Sequence, residues 1–167
     1  MGFITQFLQW LQALPLSVFI HKTAWAFTTV EVVHVFAIAF MIGTIMIVDF
    51  RLLGFGSAKR SFTEFSRLLL PFTWVAFAIA VIAGALLFIS RPLEYFGNAV
   101  FWTKMALIAL AGINMIVFEF ITVRGVKEWD LAKTPPLAAR LAGGISITCW
   151  LLVLACGRLI GFTLQGE

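Results

Sequence analysis

Residues Thr23–Val48 read TAWAFTTVEVVHVFAIAFMIGTIMIV, an almost wholly apolar run that carries Glu31 and His34 well inside it. A helix needs about 20 predominantly apolar residues to cross a hydrocarbon core, whereas a helix of a water-soluble core is shorter and polar along one face. The run therefore reads as a membrane-spanning helix. Ionisable groups inside such a span are rare, costing about 2.5–3.5 kcal/mol for Asp, Lys or Arg on insertion scales. Glu31 and His34 stand at i and i+3, so they share a helix face and point at whatever that face meets.

Outward from this run, three further apolar segments follow, at about 70–90, 99–123 and 137–163. Each is long enough to cross a core of about 30 Å at 1.5 Å per residue. Hydrophobic residues make up 62% of the 167-residue chain and charged ones 12%, with mean hydropathy +1.03. No water-soluble fold buries that much apolar surface, so the expected class is all-α: an integral membrane four-helix bundle forming one domain over residues 1–167. An N-terminal interfacial helix is expected over about 2–14, with Thr5, Gln6, Gln9 and Gln12 on one side, Trp10 as anchor, and Pro15 interrupting it. No charged n-region of a signal peptide precedes it, since the first basic residue is Lys22.

Lysine and arginine orient the bundle. Arg51, Lys59, Arg60, Arg67, Arg124, Lys127, Lys133 and Arg140 fall on the side of the first and third loops; Lys22, Arg91, Lys104 and Arg158 fall on the other. The positive-inside rule makes the first set cytoplasmic and both termini periplasmic in a bacterial inner membrane. The same topology accounts for the net charge of +4 without a nucleic-acid partner. The lipid bilayer is the first partner implied. Within the loop between spans one and two, SFTEFSRLL suggests a short amphipathic helix. Asp49 and Glu119, near the cytoplasmic ends, are expected to snorkel or to pair with Arg51 and Arg124.

Counting 1.5 Å per residue from the outer ends, Glu31 lies about 12 Å deep and His34 about 16 Å, with Lys104 and Arg158 each about 8 Å deep. The outer half thus holds one acid, one histidine and two bases, expected to turn inward. Three chemistries compete for them. In the first, His34 is an axial ligand of haem b, Glu31 orients it or carries a proton, and Lys104 and Arg158 neutralise the propionates. His21 is about 20 Å from His34 on a continuous helix, so this reading needs single-histidine ligation, a Met or Lys second ligand, or two haems. It also implies a redox partner.

In the second, copper is held by His34 and Met41, with Met115, Cys149 and Cys156 as further soft donors. Methionine and cysteine are also ordinary packing residues. The cysteines would stand about 10 Å apart on one helix, too far for a disulfide. In the third, the bundle has no cofactor, and Glu31 pairs with Lys104 or Arg158 to fix helix packing. An E-x-x-H pair also occurs, twice over, in di-iron bundles; here it occurs once. Gly157 and Gly161, like the alanines and Gly84 of span two, read as sites of close helix approach. A homo-oligomer sharing a site across a symmetric interface is compatible with so small a bundle. No nucleotide-binding or nucleophile-elbow motif is present.

Several motifs resemble a known family. HVFAIAFMIGTIMIVDFRLLG resembles the histidine-led first span of the bacterial copper-resistance D membrane domain, and FTEFSRLLLPFTWVAFAIAVIAGALLF its entry to a small-residue span. EYFGNAVFWTKMALIALAGIN resembles its tyrosine-glycine turn with a lysine opening the next helix. The histidine-then-lysine layout is also similar to the haem-containing bacterial protoporphyrinogen oxidase, although Asn114 stands where that pattern has a further histidine. Small uncharacterised four-span bacterial families share it too. The resemblance spans about 34–114 and implies that His34 is a metal or haem ligand and Lys104 a site residue. For Arg67 and Tyr95 it implies structural positions.

Overall fold

A computed structural model describes residues 2–55, 61–132 and 134–163 of the chain. Lys59, Arg60 and Lys133, counted in the charge asymmetry, lie outside the described residues. The fold is all-α, and among the described residues four helices are long and apolar enough to cross a membrane. In chain order the elements are α1 (Phe3–Ala13), α2 (Pro15–Lys22), α3 (Ala24–Leu52), α4 (Phe62–Ser90), α5 (Pro92–Gly97), α6 (Ala99–Val117), α7 (Val126–Trp129) and α8 (Leu137–Thr163). A π turn, Phe118–Thr122, and a 3₁₀ turn, Val123–Gly125, join α6 to α7.

Local chemistry sets the helix ends. Gly54, at φ 90°, stops α3 in the left-handed region that glycine enters without strain. Around it Phe55 N–H bonds Phe50 C=O at 2.9 Å and Gly54 N–H bonds Arg51 C=O at 3.2 Å, the double closure of a Schellman motif. The Phe50 and Phe55 rings meet edge to face at 6.4 Å, supplying the apolar contact that accompanies it. Ser61 starts α4 by accepting from Glu64 N–H at 3.1 Å, the first half of a capping box. Asn98 starts α6 by accepting from Val100 and Phe101 N–H at 2.9 and 3.2 Å.

Three boundaries differ from the sequence reading. SFTEFSRLL is no separate helix: α4 begins at Phe62 and runs through Pro71, which is exposed, so its missing N–H removes one bond without breaking the helix. Pro15 does not simply end the first helix; it opens α2, whose axis bends 68° from α1, because proline suits the first position of a helix. The third span passes from α6 into the π and 3₁₀ turns and α7, so that helical backbone reaches Trp129. The fourth, Leu137–Thr163, is as read.

Helix α3 packs on α4 and α8, and α8 packs on α6. Buried Ala76, Ala80 and Ala83 give α4 a flat face that lets α3 approach closely. Midway, the buried Thr73 hydroxyl donates to Thr44 Oγ1 at 2.8 Å and ties the two helices. Helices α4 and α6 are not a packed pair along their length. Aromatic rings near their ends bridge them: Phe88 stacks on Phe101 at 5.5 Å, and Phe62 meets Phe118, in the π turn just past α6, at 5.9 Å.

The α7 end is closed by Val48, Leu52, Phe62, Trp129 and Ala139. There Arg51 donates to the Ala132 and Asp130 carbonyls at 3.2 and 3.4 Å, and Asp130 Oδ1 accepts from Thr63 N–H at 2.7 Å. The expected pairs Asp49–Arg51 and Glu119–Arg124 do not form. Backbone carbonyls of the returning chain lie nearer the guanidinium, and Glu119 and Arg124 are exposed.

Candidate functional site

His34 is half-buried at the α3–α4 contact. Its Nδ1 lies 2.8 Å from the Ala80 carbonyl oxygen. A carbonyl can only accept, so Nδ1 carries the hydrogen, and in the neutral ring Nε2 keeps its lone pair. The ring lies over Gly84, where a Cβ would come within 2.9 Å of His34 Cε1. Gly84 is thus the vacancy in α4 that seats the imidazole, and Ala80, one turn earlier, supplies the oxygen that aims it.

Lys104 enters from α6, between one and two turns past the Asn98 cap. Its Nζ lies 3.8 Å from the position a Cβ on Gly157 would take, and it is within electrostatic range of both His34 and Cys156. Four helices therefore contribute here: His34 from α3, Gly84 from α4, Lys104 from α6, and Cys156 with Gly157 from α8. Among the described residues Lys104 makes no ion pair. The small residues Gly84 and Gly157 leave the space that the imidazole and the ammonium use.

Glu31 and Arg158 do not join this centre. Glu31 is exposed and acts on Tyr95 of α5, while Arg158 is exposed and lies over its neighbour Phe162, 4.4 Å from guanidinium carbon to ring centroid. The inward-turned acid and second base expected from depth alone are corrected in this respect. A cation–π contact one turn along the same helix is available to Arg158 without crossing the bundle. The expected Glu31–Lys104 and Glu31–Arg158 pairs are likewise not formed; the ion pair among the described residues is Arg91–Glu94, at 3.4 Å.

Around Glu31 the α5 end brings together groups that sequence spacing did not connect. Arg91 sits over the Phe27 ring at 5.4 Å, and Tyr95 packs on Phe88 and Phe101 at 6.1 and 5.8 Å. Burial pushes the Tyr95 phenol above its usual range; nearby Arg91 opposes this, and the Glu31 and Glu94 charges add to it. The one signal in the sequence was the E-Y pair beside Pro92, which marks a turn rather than a partner for span one.

The soft donors are dispersed. Met41 is buried with Ile42 and Ala76, among Ile38, Ile45, Phe77 and Trp150. Cys149 and Cys156 are both buried and free. His21 is exposed at the end of α2. No three His, Cys, Asp or Glu side chains converge among the described residues.

The chain belongs to the family of unknown function DUF6644, whose model matches residues 7–163. No curated protein and no solved structure matches it.

Proposed function

We propose that this is a bacterial inner-membrane redox or metal-handling protein that holds haem b through His34. One observation carries the reading: the Nδ1 hydrogen is committed to Ala80 C=O at 2.8 Å, which in the neutral ring leaves Nε2 as the ligating atom. Anchoring one ring nitrogen on a backbone carbonyl is how proteins fix the tautomer and aim of a metal-binding imidazole. Lys104, without an ion-pair partner among the described residues, would be the cation for a propionate. Glu31, beside Tyr95, gives the rim a group able to pass a proton. Arg158 would reach the site only by leaving Phe162, and Met41 would serve as a donor only by leaving its apolar neighbours. A bound haem would supply one-electron chemistry at iron.

The orientation follows from charge. Arg51, Arg67, Arg124, Lys127 and Arg140 gather toward the α7 end, which the positive-inside rule assigns to the cytoplasm. On that assignment the candidate site belongs to the periplasmic half of the bundle, and both termini are assigned to the periplasm.

The same hydrogen bond favours a second reading, in which His34 is a cofactor-free staple between α3 and α4. Absorption spectra of the detergent-purified protein, oxidised and dithionite-reduced, with metal analysis, separate the two. The haem reading predicts a Soret band that shifts on reduction and is lost in His34→Ala. A colourless, metal-free protein from cells supplied with haem precursor and copper, together with a His34→Gln variant as stable as wild type, would establish the staple instead. Stoichiometric copper lost in His34→Ala would move the assignment to copper handling.

A further inference from the structure

Asp49, in the last turns of α3, is an ionisable group in the α7 half that the His34 site does not use. It is 5% exposed, and its Oδ2 has no hydrogen-bond partner among the described residues. Gly143 of α8 approaches so closely that a Cβ there would lie 3.0 Å from the Asp49 carbonyl oxygen. Ser146, on the same side of α8, brings a hydroxyl within hydrogen-bonding range of the carboxyl. From α6, Asn114 donates to Ala142 C=O at 2.9 Å. Polar groups of three helices are thus gathered over one turn of α8.

Among the described residues this layer holds no cation free to pair with the carboxyl. Arg51, on the same helix, donates to the Ala132 and Asp130 carbonyls. Arg140 of α8, Arg67 of α4 and Arg124 beyond α6 are exposed, as are the acids Glu64 and Glu119. Asp130 places its Oδ1 on Thr63 N–H. None of these pairs with Asp49. An ionised carboxylate buried without a counter-ion is far costlier than the neutral acid, whose O–H needs one acceptor. The Ser146 hydroxyl beside it can accept from the acid and can donate to the carboxylate, so it serves both states of an exchange.

We propose that Asp49 is a proton-exchange site, its carboxyl passing a proton to and from water at the α7 face of the bundle. The exchange is an O–H bond broken on the carboxyl and one formed on water, with no electron moved. It is independent of what His34 binds, so either assignment can fail alone.

Infrared spectroscopy of the full-length protein in liposomes, titrated from acid to alkaline pH, tests this directly. The expected result is a protonated-carboxyl C=O band present at neutral pH, removed at alkaline pH, missing in Asp49→Asn and moved in frequency in both Asp49→Glu and Ser146→Ala. Asparagine matches the shape of the neutral acid, so Asp49→Asn should keep the fold; Asp49→Glu and Ser146→Ala carry the assignment if it does not. A neutral-pH spectrum without that band, or a band unmoved by all three substitutions, would overturn the proposal. So would a band that sodium chloride abolishes and choline chloride does not, since a monovalent cation would then occupy the carboxyl.

Discussion

Arg51 and Lys104 are both cations held within the bundle, and the two ends treat them differently. Arg51, 6% exposed, donates to the Ala132 and Asp130 carbonyls at the end that Phe62 and Trp129, packed on each other, help to close. Lys104 lies beside Gly157, within electrostatic range of His34, and has no ion-pair partner among the described residues. A charge provided with backbone acceptors serves the fold; one left without a partner beside an oriented imidazole is available to a ligand. The contrast separates a structural end from a candidate functional end in one small bundle.

Three sets of substitutions would sharpen or break that contrast. Removing the α7 lid should do most: Trp129→Ala should cost about 3–5 kcal/mol, as deletion of a buried tryptophan does. Trp102→Ala, at the α5 end, removes a side chain that is 49% exposed and should cost clearly less. Chemical unfolding in detergent reads both, and equal losses would refute the asymmetry. Next come two glycines of α8. Gly143→Ala drives a Cβ toward Asp49 backbone and Leu52 Cβ, at 3.0 and 3.1 Å, and should destabilise by about 1–3 kcal/mol. Gly161→Ala meets nothing within 4 Å and should be neutral or stabilising by about 0.5–1 kcal/mol through helix propensity. The smallest expected effect is that of Asp130→Ala, which removes the acceptor at Thr63 N–H and should cost about 1 kcal/mol, read as a lower unfolding midpoint with the His34 environment unchanged.

The spans were legible because length and apolarity suffice to define them: Leu137–Thr163 needs no knowledge of its neighbours. The start of α4 was not, because Glu64, Arg67 and Pro71 are loop-like letters, while Ser61 and Asp130 decide the matter through hydrogen bonds, one of them from a distant segment. The facing of the site was half legible. His34 and Lys104 do come into range, as their depths suggested. Glu31 and Arg158 lie elsewhere, since the rotation of α3 and α8 is set by α3–α4, α3–α8 and α6–α8 packing rather than by depth. The Ala80 carbonyl that orients His34 carries no sequence signature, because every residue has one. Gly84 had a signal, a small residue in a small-residue span, but nothing in the chain says which ring fills the space it leaves.

The central claim is that His34 presents a free Nε2 while Nδ1–H is held by Ala80. The chain has two histidines, so ¹⁵N-histidine labelling with NMR in lipid, assigned by a His21→Gln variant, reads that ring directly. The expected result is one neutral imidazole protonated at Nδ1 in cofactor-free protein, its signal perturbed or broadened when haem is added. A ring protonated at Nε2 with Nδ1 bare would contradict the account.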